Sequence, residues 1–119
     1  MEIQIEPYGA HHLDAVIRLA LRAWAPVFES LQQVMDPDIY RHFYPDWRIN
    51  QQEAVAEVCA AEDTPVWVAL RGDLVVGFAA VKLHQQTGMG ELYMIAVDPD
   101  FQGQGIGSAL IEFTLAWMK

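Results

Sequence analysis

The sequence predicts a single α/β domain, and three observations carry that prediction. Apolar residues alternate at a spacing of two in some stretches, the mark of half-buried strands. In others they recur at three and four, the mark of amphipathic helices. A glycine-rich turn joins the last stretch of the first kind to the last of the second. At 119 residues the chain is about one domain long, and 53% of it is hydrophobic, enough for a core of its own.

Taken in order, Ile3 and Ile5 alternate with Glu2, Gln4 and Glu6, which predicts a short strand closed by Pro7 and Gly9. Leu13, Val16, Ile17, Ala20 and Trp24 predict an amphipathic helix that Pro26 ends or kinks. Asp36-Pro37 predicts a helix start, with Ile39, Tyr40 and Phe43 on one face and Pro45 as an interruption. Asn50 and Glu53 have capping-box spacing, and Val55, Val58 and Cys59 form the apolar stripe of a further helix. Pro65 to Leu70 and Leu74 to Leu83 flank Arg71-Gly72-Asp73, the pattern of two antiparallel strands around a short turn. His84 to Gly88 reads as a loop and Glu91 to Val97 as another strand. Ile106, Ala109, Leu110, Phe113 and Trp117 predict a last helix.

Composition narrows the function. Sixteen carboxylates against seven Lys plus Arg leave a net charge of −9 without a basic cluster, so nucleic acid is not an expected partner. The acidity favours solubility and, as a weaker hint, cationic partners such as amines. No apolar run is long enough to cross a membrane, and the N-terminus does not read as a signal peptide. Lone Cys59 cannot form an internal disulfide. These features predict a cytoplasmic protein. His11, His12, His42, His84 and Cys59 show no metal-ligand spacing, so no metal is expected. Adjacent His11 and His12 read as a partly exposed helix start.

The stretch that carries chemistry runs from Glu91 to Ser108. A strand enters a turn at Asp98-Pro99, and Gln102-Gly103-Gln104-Gly105-Ile106-Gly107 then opens a helix. Glycines let backbone approach a ligand closely, and loop N–H groups converge with the helix N-terminus on one spot, a place for phosphate. Three phosphate-binding patterns compete. A P-loop needs Lys after the glycines, and none follows. A dinucleotide fingerprint needs a third glycine where Ser108 stands, and an acidic residue about 20 positions on, beyond the end of the chain. The third pattern, Gln/Arg-x-x-Gly-x-Gly/Ala, fits. With Ile95-Ala96-Val97-Asp98-Pro99 before it, the stretch resembles the acetyl-coenzyme A signature of the GCN5-related N-acetyltransferase (GNAT) superfamily.

The resemblance spans residues 1–119 as one domain, although only residues 91 to 117 carry a sharp motif. It implies a mixed, mostly antiparallel sheet flanked by helices, and direct transfer of acetyl from acetyl-coenzyme A to a primary amine. The family's roles fall on matching positions. Gln102, Gly103, Gln104, Gly105, Ile106, Gly107 and Ser108 hold the pyrophosphate, and the backbone of Ile95, Ala96 and Val97 pairs with the pantetheine arm. Many relatives place Arg or Lys in this loop; here phosphate relies on amides and the helix dipole. Glu91 is the candidate base for the amine, with His84 a weaker one. Direct transfer needs no nucleophile, so Cys59 is read as core. Trp24, Phe28, Tyr40, Phe43 and Trp47 are candidate lining residues of the acceptor site.

The family fold continues past this last helix with further strands, and a Tyr there often protonates the leaving thiolate. The resemblance thus implies a chain lacking its C-terminal strands: a fragment, a clipped product, or a short form that completes itself by pairing. An open apolar sheet edge invites such pairing, so a homodimer is expected. The alternative function is a truncated, non-catalytic module for coenzyme A binding or dimerisation. The identity of the acceptor is not legible.

Overall fold

Four strands form one antiparallel sheet in the order β1-β2-β3-β4: β1 Gln4–Pro7, β2 Val66–Arg71, β3 Leu74–His84 and β4 Met89–Val97. Among the described residues, three long helices are α1 Leu13–Val34, α2 Trp47–Ala60 and α3 Ile106–Met118, and residues 37–39 are also helical, as Asp36-Pro37 predicted. The computed structural model describes residues 3–39, 47–61, 64–84 and 88–118. The predicted face of Ile39, Tyr40 and Phe43, the Pro45 interruption and residues 85–87 of the predicted loop lie wholly or partly outside these.

The sheet is covered on both sides, which explains the unbroken apolar runs of β2 and β3. Val66, Val68, Leu70, Val75, Phe78 and Ala80 pack on one face against Val16, Leu19 and Ala20 of α1 and Val55 and Val58 of α2. Ala69, Val76 and Ala79 pack on the other against Ile106 and Leu110 of α3. Trp67 meets Phe113 and Trp117 of α3 edge-on, with ring centroids 5.6 and 4.8 Å away. Full burial of side chains such as Phe78, Leu19 and Leu110 contributes roughly 1.5–3 kcal/mol each.

Two irregularities shape the sheet. A Cβ added at Gly77 would come within 3.1 Å of Leu110 Cδ1 and 3.2 Å of the Ala96 carbonyl, so glycine there lets the start of α3 sit directly on β3. In β4, Met94 pairs with Ala80 and Leu92 with Val81, which leaves Tyr93 as the extra residue of a β-bulge. Met94 and Ala96 then face α1 and α2, and Leu92, Ile95 and Val97 face α3.

Several elements depart from the sequence reading. The first helix does not stop at Pro26 but runs on to Val34. Proline removes a single helical hydrogen bond, and contacts beyond it, such as Phe28 stacked on Trp47 at 4.4 Å, hold the helix together. The α2 helix is already formed at Trp47, so Asn50 lies inside it and is not its cap. The last two strands reach further than expected, and His84 is the final residue of β3 rather than part of a loop.

His12 also differs: it is buried, only 9% exposed, while His11 is exposed. Its Nδ1 accepts from the Gly9 N–H at 3.0 Å, and its own N–H donates to the Gly9 carbonyl at 2.8 Å, closing the turn Ala10–His12 before α1. Burial, with help from neighbouring His11, lowers its pKa below the ordinary 6.5. A group depressed in the folded state is protonated first in the unfolded chain. Stability is therefore full above pH 6.5 and falls as pH drops toward the folded value, where the loss levels off. Urea midpoints should decline on acidification through this window, and His12→Gln should flatten the decline. An equal slope in the variant would remove His12 as the cause.

Candidate active site

The site begins where β4 leaves the sheet. Among the described strands β4 is an edge, with β3 on one side only. The Asp98 N–H donates to the Val76 carbonyl at 2.8 Å, the last rung toward β3. Backbone groups two residues apart point the same way, so those of Ala96 also face β3 and those of Ile95 and Val97 face outward. The Val97 carbonyl indeed accepts from Gln102 Nε2 at 3.1 Å, outside the ladder. Of the three strand residues expected to offer backbone to a ligand, Ile95 and Val97 turn theirs outward, while Ala96 is turned inward and 5% exposed.

The turn that follows is clamped. The Asp98 carboxylate accepts from the Asp100 N–H at 2.9 Å and caps the short helical turn Pro99–Phe101, with proline at its first position. Arg22 of α1 donates from Nη1 to both Asp98 oxygens at 3.0 and 2.9 Å, and from Nη2 to Asp100 Oδ2 at 3.1 Å. No local pattern marks Arg22, which lies 76 residues from Asp98.

Gly103 and Gly105 then take φ of +82° and +83°, a left-handed backbone that costs other residues about 1–2 kcal/mol. A Cβ at either would project into open space. The Ala109 N–H donates to the Gly105 carbonyl at 3.0 Å and closes the first turn of α3. The N–H groups of Ile106, Gly107 and Ser108 precede that bond and have no acceptor within the helix. They carry the positive end of the helix dipole.

Strand edge, turn and helix start enclose a cleft of about 520 Å³ together with Ala23 and Trp24 of α1. Of the sequence-predicted coenzyme residues, the structure gathers Ile95, Ala96, Val97, Gln102, Gly103, Gly105, Ile106, Gly107 and Ser108 around it. Gln104 is exposed and lies outside. Ala23, Phe101 and Ile111 line it without having been foreseen. The open N–H groups, the neutral lining and the absence of side chains at Gly103 and Gly105 fit a phosphate-bearing ligand with an extended arm.

A second cleft of about 430 Å³ adjoins the first. Trp24 and Ile95 line both; Val27, Phe28, Gln51, Tyr93 and Met94 complete the second. The expected lining residues Trp24 and Phe28 are here. Trp47 is not; it is buried behind Phe28, stacked at 8° between ring planes. Tyr40 and Phe43 lie outside the described residues. Glu91 lines neither cleft. It is exposed, opposite Lys82 in the register and two residues before the bulge. Leu92 packs on the α3 side, so alternation turns Glu91 toward the face that carries the second cleft. Cys59 packs against the core, and burial raises its thiol pKa against the opposing effect of a hydrogen bond with Tyr8. Among the described residues no group of three or more His, Cys, Asp or Glu is placed to hold a metal ion.

The acetyltransferase (GNAT) family model matches residues 24–119. The chain belongs to the GNAT acetyltransferase family. Among curated relatives, the mycothiol acetyltransferase of Actinosynnema mirum is 45% identical over 81 residues, 61% of this chain and 27% of that protein. That of Mycobacterium avium is 42% identical over 45 residues, 37% of this chain. This GNAT chain thus spans 14% to 27% of these relatives' length. A GNAT family acetyltransferase from Brucella melitensis, solved in complex with acetyl-CoA, matches with a TM-score of 0.71 at 24% identity, covering 98% of this chain and 68% of that one. The fold is therefore the GNAT fold over the described strands and helices.

Arg22 is the residue of this site that sequence patterning missed, and its effect is measurable. Arg22→Met should speed amide hydrogen exchange from Asp100 to Gly107 by about 1.4- to fivefold, the range expected for an exposed ion pair, and leave the later amides of α3 unchanged. Equal exchange in both proteins would mean that the turn holds itself.

Proposed function

We propose that this chain binds acetyl-coenzyme A in the first cleft and transfers its acetyl group to a primary amine held in the second. The observation that carries the reading is the meeting of three features in one cleft: the outward backbone of Ile95 and Val97, the left-handed glycines, and the open N–H groups of α3. The pyrophosphate lies against the amides from Gly103 to Ser108. The pantetheine arm runs along β4 as an added strand, from Val97 toward the bulge at Tyr93. Gln102 gives up its bond to Val97 or keeps it at the margin of the arm. The thioester then lies beside Ile95, where the two clefts share a wall, and the Ile95 N–H is placed to polarise its carbonyl.

Transfer is direct. The amine nitrogen attacks the thioester carbonyl, the carbon–sulfur bond breaks, and coenzyme A leaves as the thiolate, which takes a proton from solvent. Glu91 takes the proton lost by the amine. It stands about 7 Å along the strand from the bulge, at ~3.3 Å per residue, so water relays the proton. Cys59, kept protonated by burial, takes no part. We read residues 1–119 as one domain of a cytoplasmic protein with Cys59 reduced. A homodimer is supported by the apolar side chains that α3 leaves partly exposed, Leu115 at 52% and Trp117 at 43%. The curated relatives act on mycothiol chemistry by name. Their likeness covers a minority of their length and leaves the acceptor of this chain open.

Isothermal titration of acetyl-coenzyme A into the chain tests the first half of the reading. Binding is expected, and Gly105→Glu should weaken it more than about tenfold, because it strains a φ of +83° and sets a carboxylate at the phosphate position. Equal binding by both proteins would move the coenzyme elsewhere. Glu91→Gln tests the second half. Its rate deficit should be greatest near neutral pH and shrink as pH rises, since the amine then loses its proton to solvent. A deficit constant with pH would remove Glu91 as the base.

A further inference from the structure

The second cleft indicates what kind of amine it accepts, an inference that rests on acetyl-coenzyme A occupying the first. Among the described residues no charged side chain lines it. Its lining residues are Trp24, Val27, Phe28, Met94 and Ile95, with Gln51 and Tyr93 as the more polar side chains. The described carboxylates behind the net charge of −9 therefore lie outside its lining. Phe28 is held by its parallel stack on Trp47, and the Arg48 guanidinium covers the Trp47 ring at 4.4 Å. The aromatic wall is thus set before a ligand arrives and loses little freedom on binding.

Such a site discriminates by chemistry. A polyamine would strip water from several ammonium groups against apolar walls without a lining carboxylate to compensate. An amino sugar would bring more hydroxyls than Gln51 and Tyr93 can satisfy. A flat apolar group buries its faces against Trp24 and Phe28, and its amine reaches the shared wall at Ile95 only if the linker is short. We propose that the acceptor is a primary amine carrying an aromatic ring, or a comparable flat apolar group, a few bonds from the nitrogen.

The test is the affinity of the chain, saturated with coenzyme A, for phenethylamine, spermidine and glucosamine, measured by NMR titration. Phenethylamine should bind at least about tenfold more tightly than either polar amine, as burial of a ring implies. Gln51→Glu, nearly isosteric and on a partly exposed helix position, should narrow the preference over spermidine by several-fold, because it supplies the missing carboxylate. Val27→Ser, at a side chain 56% exposed, should weaken phenethylamine and leave coenzyme A affinity unchanged. If spermidine or glucosamine binds as well as phenethylamine while coenzyme A saturates the chain, the acceptor class is overturned and the coenzyme reading stands. If coenzyme A itself does not bind, both fall together.

Discussion

The point where β4 parts from β3 governs the rest of the site. Asp98 serves there twice. Its N–H makes the last rung to Val76, and its carboxylate both caps the turn and receives Arg22. The chain therefore leaves the sheet in one direction, and two left-handed glycines bring it back as α3 on the opposite face. The N–H groups at the start of α3 are then aimed before any ligand arrives. Dipoles fixed in advance need no reorganisation when charge comes near, which is what makes neutral donors effective in place of a lysine or arginine. Gly77 belongs to the same device, because any larger residue would push Leu110 and the base of α3 off β3.

The long first helix is the second constraint. Arg22 clamps the turn beside the first cleft, Ala23 and Trp24 line that cleft, and Val27 and Phe28 line the adjoining one. One rigid element thus sets the distance between the two clefts, which is what proximity would require if each holds one substrate, as proposed. That depends on the helix surviving Pro26. The ring removes a hydrogen bond to the Arg22 carbonyl and costs about 3 kcal/mol in a helix interior. Packing on both sides of the proline offsets this: Val16, Leu19 and Ala20 before it, and the Phe28–Trp47 stack after it.

Among the described residues no charged side chain lines either cleft, although the protein carries −9 overall. The nearby acidic groups are engaged in structure: Asp98 and Asp100 with Arg22. A whole-chain charge describes solubility and long-range steering, and recognition is decided by the few residues that face the ligand. The bulge at Tyr93 adds to this, since the extra residue lines the second cleft.

The sequence by itself determined whatever depends on neighbours along the chain. Periodicity located the strands and helices, and the run from Ile95 to Gly107 announced a strand, a turn and a glycine-opened helix because its dihedral and capping requirements are local. The lining of the first cleft was legible for that reason, down to most of its residues. Other features depend on packing between distant segments. The inward turn of Ala96 follows from the register with β3, and the burial of His12 shows only in the folded chain. The Arg22 clamp joins residues 76 apart, and Trp47 lost its expected place in the cleft because Phe28 stands in front of it. Pro26 looked like an end or a kink because local preference opposes a helix there, and the helix runs on because tertiary contacts outweighed that preference. Short-range rules fix which conformation a segment favours; only the assembled layers decide which side chains meet.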